Sequence, residues 1–300
     1  MNEQEGMALT TRGLTKSFSR FQLGPLDMNV PRGSIYGFVG PNGSGKTTTL
    51  DLIYGMGTAE AGEVTLAGLD AFGDEVAAKR KAAYVATDLV YSSWGKVWKA
   101  IRFVRGFYPD QWDDDHCLEL LKRFGIGTQD RIATLSFGNR TKLALVLALA
   151  WKPEVLILDE PSTGLDAIAK QELFGELLDI VSDVERTVLV SSHNLGDVER
   201  FADHLGILKD GQMIHEGPTS DIVDRYRMVD VTLAEGAEPK PLPGLTVVER
   251  RNGLARLLVD QQQIGIHALP GHGYEMKNQS PVTLEDLFVA LLTSNGEEAP

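Results

Sequence analysis

Hydrophobic and polar positions divide this chain into short strand-like and helix-like runs. Residues 9–16 and 26–30 read as short strands, with Pro31-Arg32-Gly33 as a turn. Residues 35–39, 155–158 and 187–190 are continuous apolar runs, the pattern of strands buried on both faces. Residues 63–66 and 82–85 are further strand candidates. Helical patterning begins at 48–53 and forms a block over 97–124, interrupted near Tyr108-Pro109-Asp110. It returns at 141–151, 171–181 and 195–202. A hairpin is expected from 205–208 and 213–215 across the turn Lys209-Asp210-Gly211-Gln212. The sum is an α/β core with an antiparallel component.

The pattern changes after Gly217-Pro218. A short helix over 220–227 leads into strands over 229–233, 245–249 and 254–259, with a Pro- and Gly-bearing stretch at 238–244. A final amphipathic helix is expected over 283–292, with Pro281 or Thr283 near its start, followed by a frayed tail. The expected organisation is a large domain over 1–228 and a small α+β appendage over 229–300.

Candidate chemistry enters at the first strand-to-helix junction. Gly40-Pro41-Asn42-Gly43-Ser44-Gly45-Lys46-Thr47 fits G-x-x-x-x-G-K-[ST] at every fixed position, between an apolar strand and a helix start. Backbone N–H groups and the positive helix end converge there, which suits a polyphosphate. Lys46 is placed for the β- and γ-phosphates, the Thr47 hydroxyl for Mg²⁺, and Thr48 opens the helix beside them. The strand 155–158 ends in Asp159 and Glu160. Asp159 can support the Mg²⁺ shell, and Glu160 can polarise a water for attack on the γ-phosphate.

Composition narrows the partners. The chain has 300 residues, 43% of them hydrophobic, enough for one large domain or two smaller ones. A net charge of −13 argues against broad nucleic-acid binding and against adhesion to an anionic membrane. The single Cys117 permits no internal disulfide, which fits a reducing cytoplasm. Residues 1–6 are polar and acidic, unlike a signal peptide. The apolar run 143–151 is too short to cross a bilayer, so work at a membrane requires spans from another polypeptide. Asp113-Asp114-Asp115 reads as a solvated helix start, with metal binding the alternative.

Further motifs follow in order: Leu135-Ser136-Phe137-Gly138-Asn139, then Pro161-Ser162-Thr163-Gly164-Leu165-Asp166 directly after Glu160, then Ser191-Ser192-His193. With them the chain resembles, over about residues 8–220, the nucleotide-binding subunits of ATP-binding-cassette (ABC) transporters, most of all those of bacterial multidrug and antibiotic export systems. The resemblance implies a P-loop NTPase cassette with an antiparallel β portion and a helical subdomain, carrying the appendage. It implies ATP and Mg²⁺ as ligands, a second cassette subunit (self or paralogue), and membrane-spanning partner subunits that hold the chain on the inner face of the cell membrane. In that family, dimer closure on ATP powers transport.

The resemblance also implies roles. Glu160 would be the catalytic carboxylate and His193 the switch histidine, reaching the γ-phosphate and the partner's Asp166 loop. Ser136 and Gly138, with Phe137 and Asn139, would form the signature that covers ATP on the opposite subunit. Ser136 can also cap the following helix. Phe18 matches the aromatic that stacks on adenine, or else is core. Trp94 and Trp98 are core residues or anchors for the membrane subunit. Two departures stand out. Phe137 and Asn139 replace the usual glycine and glutamine of the signature, although Gly138 is retained. After Tyr84-Val85 the family has a glutamine; here Thr87 aligns by spacing, with Asp88 the next candidate, and either could serve the metal shell. The alternatives are a soluble ABC ATPase acting on ribosomes or nucleic acid, or a weakly hydrolysing regulatory cassette.

Overall fold

The computed structural model describes residues 6–86, 94–184, 186–233, 242–251 and 253–293. Thr87 and Asp88 lie outside the described residues. The chain divides between Glu216 and Gly217 into two compact units.

The first unit opens with a long hairpin, β1 (Met7–Phe18) and β2 (Phe21–Pro31). β3 (Ile35–Val39) leads through the glycine-rich loop into α1 (Lys46–Ile53). β4 (Ala61–Leu66), β5 (Leu69–Asp70), α2 (Glu75–Lys79) and β6 (Ala82–Ala86) follow. A helical section holds α3 (Val97–Arg105), α4 (Asp114–Arg123) and α5 (Phe137–Leu149). The chain then alternates through β7 (Val155–Asp159), α6 (Ala167–Val184), β8 (Thr187–Ser192) and α7 (Leu195–Val198), and ends in β9 (His204–Lys209) and β10 (Gln212–Pro218).

Two sheets result. The hairpin joins a four-stranded sheet ordered β2-β1-β4-β5, and the other sheet has six strands ordered β10-β9-β3-β8-β7-β6. β3, β8, β7, β6 and β9 run parallel. Every residue of β3, β7 and β8 is buried, as their unbroken apolar runs require. Leu23, Met28, Phe38, Leu50 and Ile157 share a core that joins the hairpin, the parallel sheet and α1. This packing fixes the ends of β3, β7 and β8 beside one another.

The expected helical block 97–124 is two helices. The turn at Tyr108 is held by its ring stacked on Trp151 at 4.1 Å between centroids. Asp113 starts the second helix by accepting from the His116 N–H at 2.9 Å, and that hydrogen bond, with the Lys152 ion pair, lowers its pKa to about 2. The acidic run is therefore a helix start. The helix expected over 195–202 is regular only over Leu195–Val198.

The second unit has α8 (Thr219–Arg225), β11 (Tyr226–Thr232), β12 (Leu245–Arg251), β13 (Leu254–Asp260), β14 (Glu275–Pro281) and α9 (Leu284–Thr293). Its sheet is antiparallel, ordered β12-β13-β11-β14. The division falls at Gly217, and β11, continuous from Tyr226 where it already pairs with Asp260, lies wholly in the second unit. β14 escaped the sequence pattern: it is a mostly exposed, polar edge strand, held by main-chain pairing to β11. Thr283 caps α9, its hydroxyl donating to Asp286 at 2.8 Å and accepting from the Asp286 N–H at 3.1 Å.

Asp260 anchors this unit. Its buried carboxylate accepts from Arg225 Nε at 2.8 Å, the Gln262 N–H at 3.0 Å and Gln263 Nε2 at 3.0 Å. Burial acts to raise its pKa, but the Arg225 and main-chain hydrogen bonds outweigh it and the pKa is lowered. Asp260→Asn should therefore destabilise this unit by about 3 kcal/mol at neutral pH, because it leaves Arg225 uncompensated. A lowered carboxylate pKa contributes stability above the unfolded-state value and loses it as pH falls through the folded-state value. The gap between wild type and Asp260→Asn should thus narrow on acidification. Hydrogen exchange of β13 amides across pH measures it.

Candidate functional site

The loop between β3 and α1 borders a cleft of about 430 Å³, lined by Phe21, Asn42, Gly43, Gly45, Lys46, Thr47, Thr48, Glu160, Thr163 and His193. Gly40 begins the loop under crowding that only glycine accepts: a Cβ there would lie 2.4 Å from the Leu208 carbonyl oxygen and 2.7 Å from Ser44 Oγ. The loop ends on the N-terminus of α1, whose first turn carries no acidic residue. Its dipole therefore faces the cleft without competition from a side-chain anion. Ser44 Oγ is buried and makes no hydrogen bond among the described residues, an unsatisfied donor inside a loop whose backbone suits an anion.

Three contacts build the chemistry. Lys46, only 6% exposed, donates to the carbonyl of Gly40 at 2.8 Å and of Pro41 at 3.2 Å, and lies 3.3 Å from Glu160 Oε1. Thr47 Oγ1 donates to Asp159 Oδ2 at 2.8 Å. His193 Nδ1 meets Glu160 Oε2 at 2.7 Å. β7 and β8 hold this arrangement through Ser191, whose hydroxyl donates to Asp159 Oδ1 at 2.6 Å and accepts from the Glu160 N–H at 2.9 Å. Glu160 sits at φ 52°, in the left-handed region that a non-glycine residue seldom adopts. The bend turns its carboxylate from the strand end toward Lys46 and His193.

Thr47 and Asp159 present hard oxygen donors side by side, beside a loop suited to phosphate. That is the setting for Mg²⁺, which is commonly held by one or two carboxylates together with substrate phosphates. Among the described residues no group of three or more His, Cys, Asp or Glu could hold a metal by itself.

The chain thus brings Lys46, Thr47, Asp159, Glu160 and His193 to one point. Other expected residues lie elsewhere. Ser136 caps α5, its hydroxyl accepting from the Asn139 N–H at 3.2 Å, so Phe137, Gly138 and Asn139 form the first helical turn rather than a loop ahead of residue 141. They do not line the cleft. A Cβ on Gly138 would touch Leu165 at 3.3 Å, and one on Gly164 would touch the Phe137 ring at 3.4 Å. Asp166 starts α6, accepting from the Ala169 N–H at 2.9 Å. Phe18 is 48% exposed at the end of β1, so it is not core. Its ring lies 6.2 Å from that of Phe21, its pairing partner across the hairpin. Phe21 forms part of the cleft wall and was not foreseen; a second aromatic directly after the hairpin turn was the available signal. Trp94 and Trp98 are half-buried on the helical section, not core. Trp94 packs on Phe103 at 4.8 Å, and Phe103 on Phe107 at 5.2 Å.

Residues 23–163, spanning the loop, the capped signature helix and the paired carboxylates, match the ABC transporter family. Over those residues the chain carries an ABC transporter domain, and its relatives are ABC transporter ATP-binding proteins. It is 26% identical over 290 residues to the ABC transporter ATP-binding protein YtrB of Bacillus subtilis, covering 93% of this chain and 96% of that protein. It is 29% identical over 237 residues to the bacitracin transport ATP-binding protein BcrA of Bacillus licheniformis, covering 73% of this chain and 72% of the other. A solved ATP-binding subunit of an ABC transporter superposes with a TM-score of 0.65 at 25% identity, over 72% of this chain and 92% of that one. The cassette is an ATPase, the activity characteristic of these subunits. No helix among the described residues is long and apolar enough to cross a membrane.

Proposed function

We propose that this chain is the ATP-hydrolysing subunit of an exporter. It docks on the inner membrane face through membrane-spanning subunits and works as a pair of cassettes. The observation that carries the reading is the convergence of Lys46, the Thr47–Asp159 pair and the Glu160–His193 pair on one cleft. The polyphosphate of ATP lies along the loop amides, with Lys46 transferring from the Gly40 and Pro41 carbonyls to the β- and γ-phosphates. Thr47 and Asp159 would hold Mg²⁺, which neutralises phosphate charge. Glu160 orients and deprotonates the attacking water, and His193 holds its carboxylate in register.

The signature supports a second cassette. Ser136 and Gly138 stand at a helix N-terminus, a place suited to a phosphate, yet they lie outside this chain's own cleft. Covering ATP with them requires another subunit. Export is supported by likeness to the bacitracin transport protein. The exposed aromatic patch at the end of α3, Phe103 and the following Phe107 beside Trp94, supports a docking surface for the membrane subunit.

Affinity purification from solubilised membranes tests the reading. A membrane-spanning protein should co-purify and raise ATP turnover. Co-purification with ribosomes or nucleic acid instead would overturn it. Turnover that stays negligible even with the membrane protein and any co-purifying cassette would favour a regulatory subunit.

A further inference from the structure

The loops that carry Glu160 and His193 touch at their tips, through the 2.7 Å contact between those side chains. A second tie joins them deeper in the fold. Lys170, in the first turn of α6, donates to Asp197 of α7 at 2.6 Å. Ser162, in the loop between Glu160 and Asp166, donates to the same Asp197 oxygen at 3.4 Å. The pair is well shielded, with Lys170 24% and Asp197 18% exposed.

Both ends of this tie run directly into the site. Asn194, next to His193, caps the short helix by accepting from the Asp197 N–H at 3.3 Å, and its own N–H is fixed by Ser192 Oγ at 3.0 Å. Asp166 starts α6, and the Lys170 N–H closes that first turn on the Asp166 carbonyl at 3.0 Å. The peptide from His193 to Asp197 and the peptide from Glu160 to Lys170 are therefore each locally rigid. Across them there are two links, one at the reacting end and one at the Asp197 end.

We propose that Asp197 and Lys170 are positioning residues, a clamp that sets the spacing of the His193 loop against the Glu160–Asp166 loop and so the aim of the Glu160 carboxylate. Neither side chain lines the cleft, so neither binds nucleotide there. The clamp acts on hydrolysis rather than on affinity. This rests on the cleft being the ATP site.

The test uses the full chain with ¹⁵N-labelled histidine. Its six histidines allow the His193 ring to be assigned with His193→Gln. In nucleotide-free protein, Glu160→Gln defines where the Nδ1 resonance goes when the carboxylate contact is altered. Asp197→Lys should move the resonance to that position, and Lys170→Glu combined with Asp197→Lys should return it. Turnover should fall about tenfold in each single charge reversal, as slight misalignment of reacting groups does, and recover in the double variant, while ATP affinity stays within about twofold. Should Asp197→Lys fail to fold, Asp197→Asn removes the charge at constant shape and should move the resonance in the same direction. A wild-type resonance position in a folded Asp197 variant overturns the clamp, as does a double variant no closer to wild type than either single. Failure of the wild-type chain to bind ATP would overturn the ATPase reading instead, and the nucleotide-free resonance would still decide the clamp.

Discussion

Glu160→Gln should slow ATP hydrolysis by about 10²- to 10⁴-fold, the range expected when a positioned general base is lost, and leave ATP bound. The amide keeps the size of the side chain and can still meet His193 and Thr163, which now lie at 2.7 and 3.3 Å from Oε2. It cannot take a proton from the attacking water. Removing the negative charge 3.3 Å from Lys46 also frees that ammonium for the phosphates and relieves repulsion with them. The ATP-bound state should accumulate. Where the chain pairs with itself, light scattering behind size exclusion should find a dimer with ATP and Mg²⁺ and a monomer with ADP. Hydrolysis at the wild-type rate would remove Glu160 from the catalytic role. Loss of hydrolysis without a dimer would point to a paralogous cassette as the partner.

Lys46→Ala should weaken ATP binding by roughly 10- to 100-fold, the loss expected for charge-assisted hydrogen bonds to a polyphosphate, while the fold persists. Lys46 touches loop carbonyls and Glu160 and takes no part in the apolar core, so its removal leaves the packing of β3 on α1 intact. Titration calorimetry with ATP, beside a thermal melt, separates the two effects. Unchanged affinity in a folded variant would sink the assignment of the loop. The two substitutions should therefore split binding from chemistry: Lys46→Ala should lose ATP binding, and Glu160→Gln should lose cleavage.

Much of the cleft was legible because it is local. A phosphate-binding loop needs glycines, a lysine and a threonine at fixed spacing between a strand and a helix, and residues 40–47 carry all of these in one stretch. Asp159 and Glu160 announced themselves at the end of an unbroken apolar strand, and that strand is buried along its length. The parallel strands were legible for the same reason: burial on both faces leaves an unmistakable apolar run. The edge strand β14 was not, since its exposed polar residues are placed by main-chain pairing, which leaves little trace in side-chain chemistry. Nor was the true start of α5: Ser136 read as a cap, but Gly138 within the first turn masked the helix.

By itself, then, the sequence determined the α/β class, the glycine-rich loop between strand and helix, and the two acids at the end of β7, because each depends on residues adjacent in the chain. Only the tertiary structure decided what those residues touch. The packing of β7 beside β8 puts Ser191 between Asp159 and Glu160, sets Glu160 on a left-handed bend, and brings its carboxylate to both Lys46 and His193. Tertiary packing also places Phe21 in the cleft wall, leaves Ser136 to Asn139 outside it, and pairs Lys170 with Asp197. These are contacts between residues far apart in the chain. Their geometry comes from the burial of whole strands and helices against one another, which no short motif records.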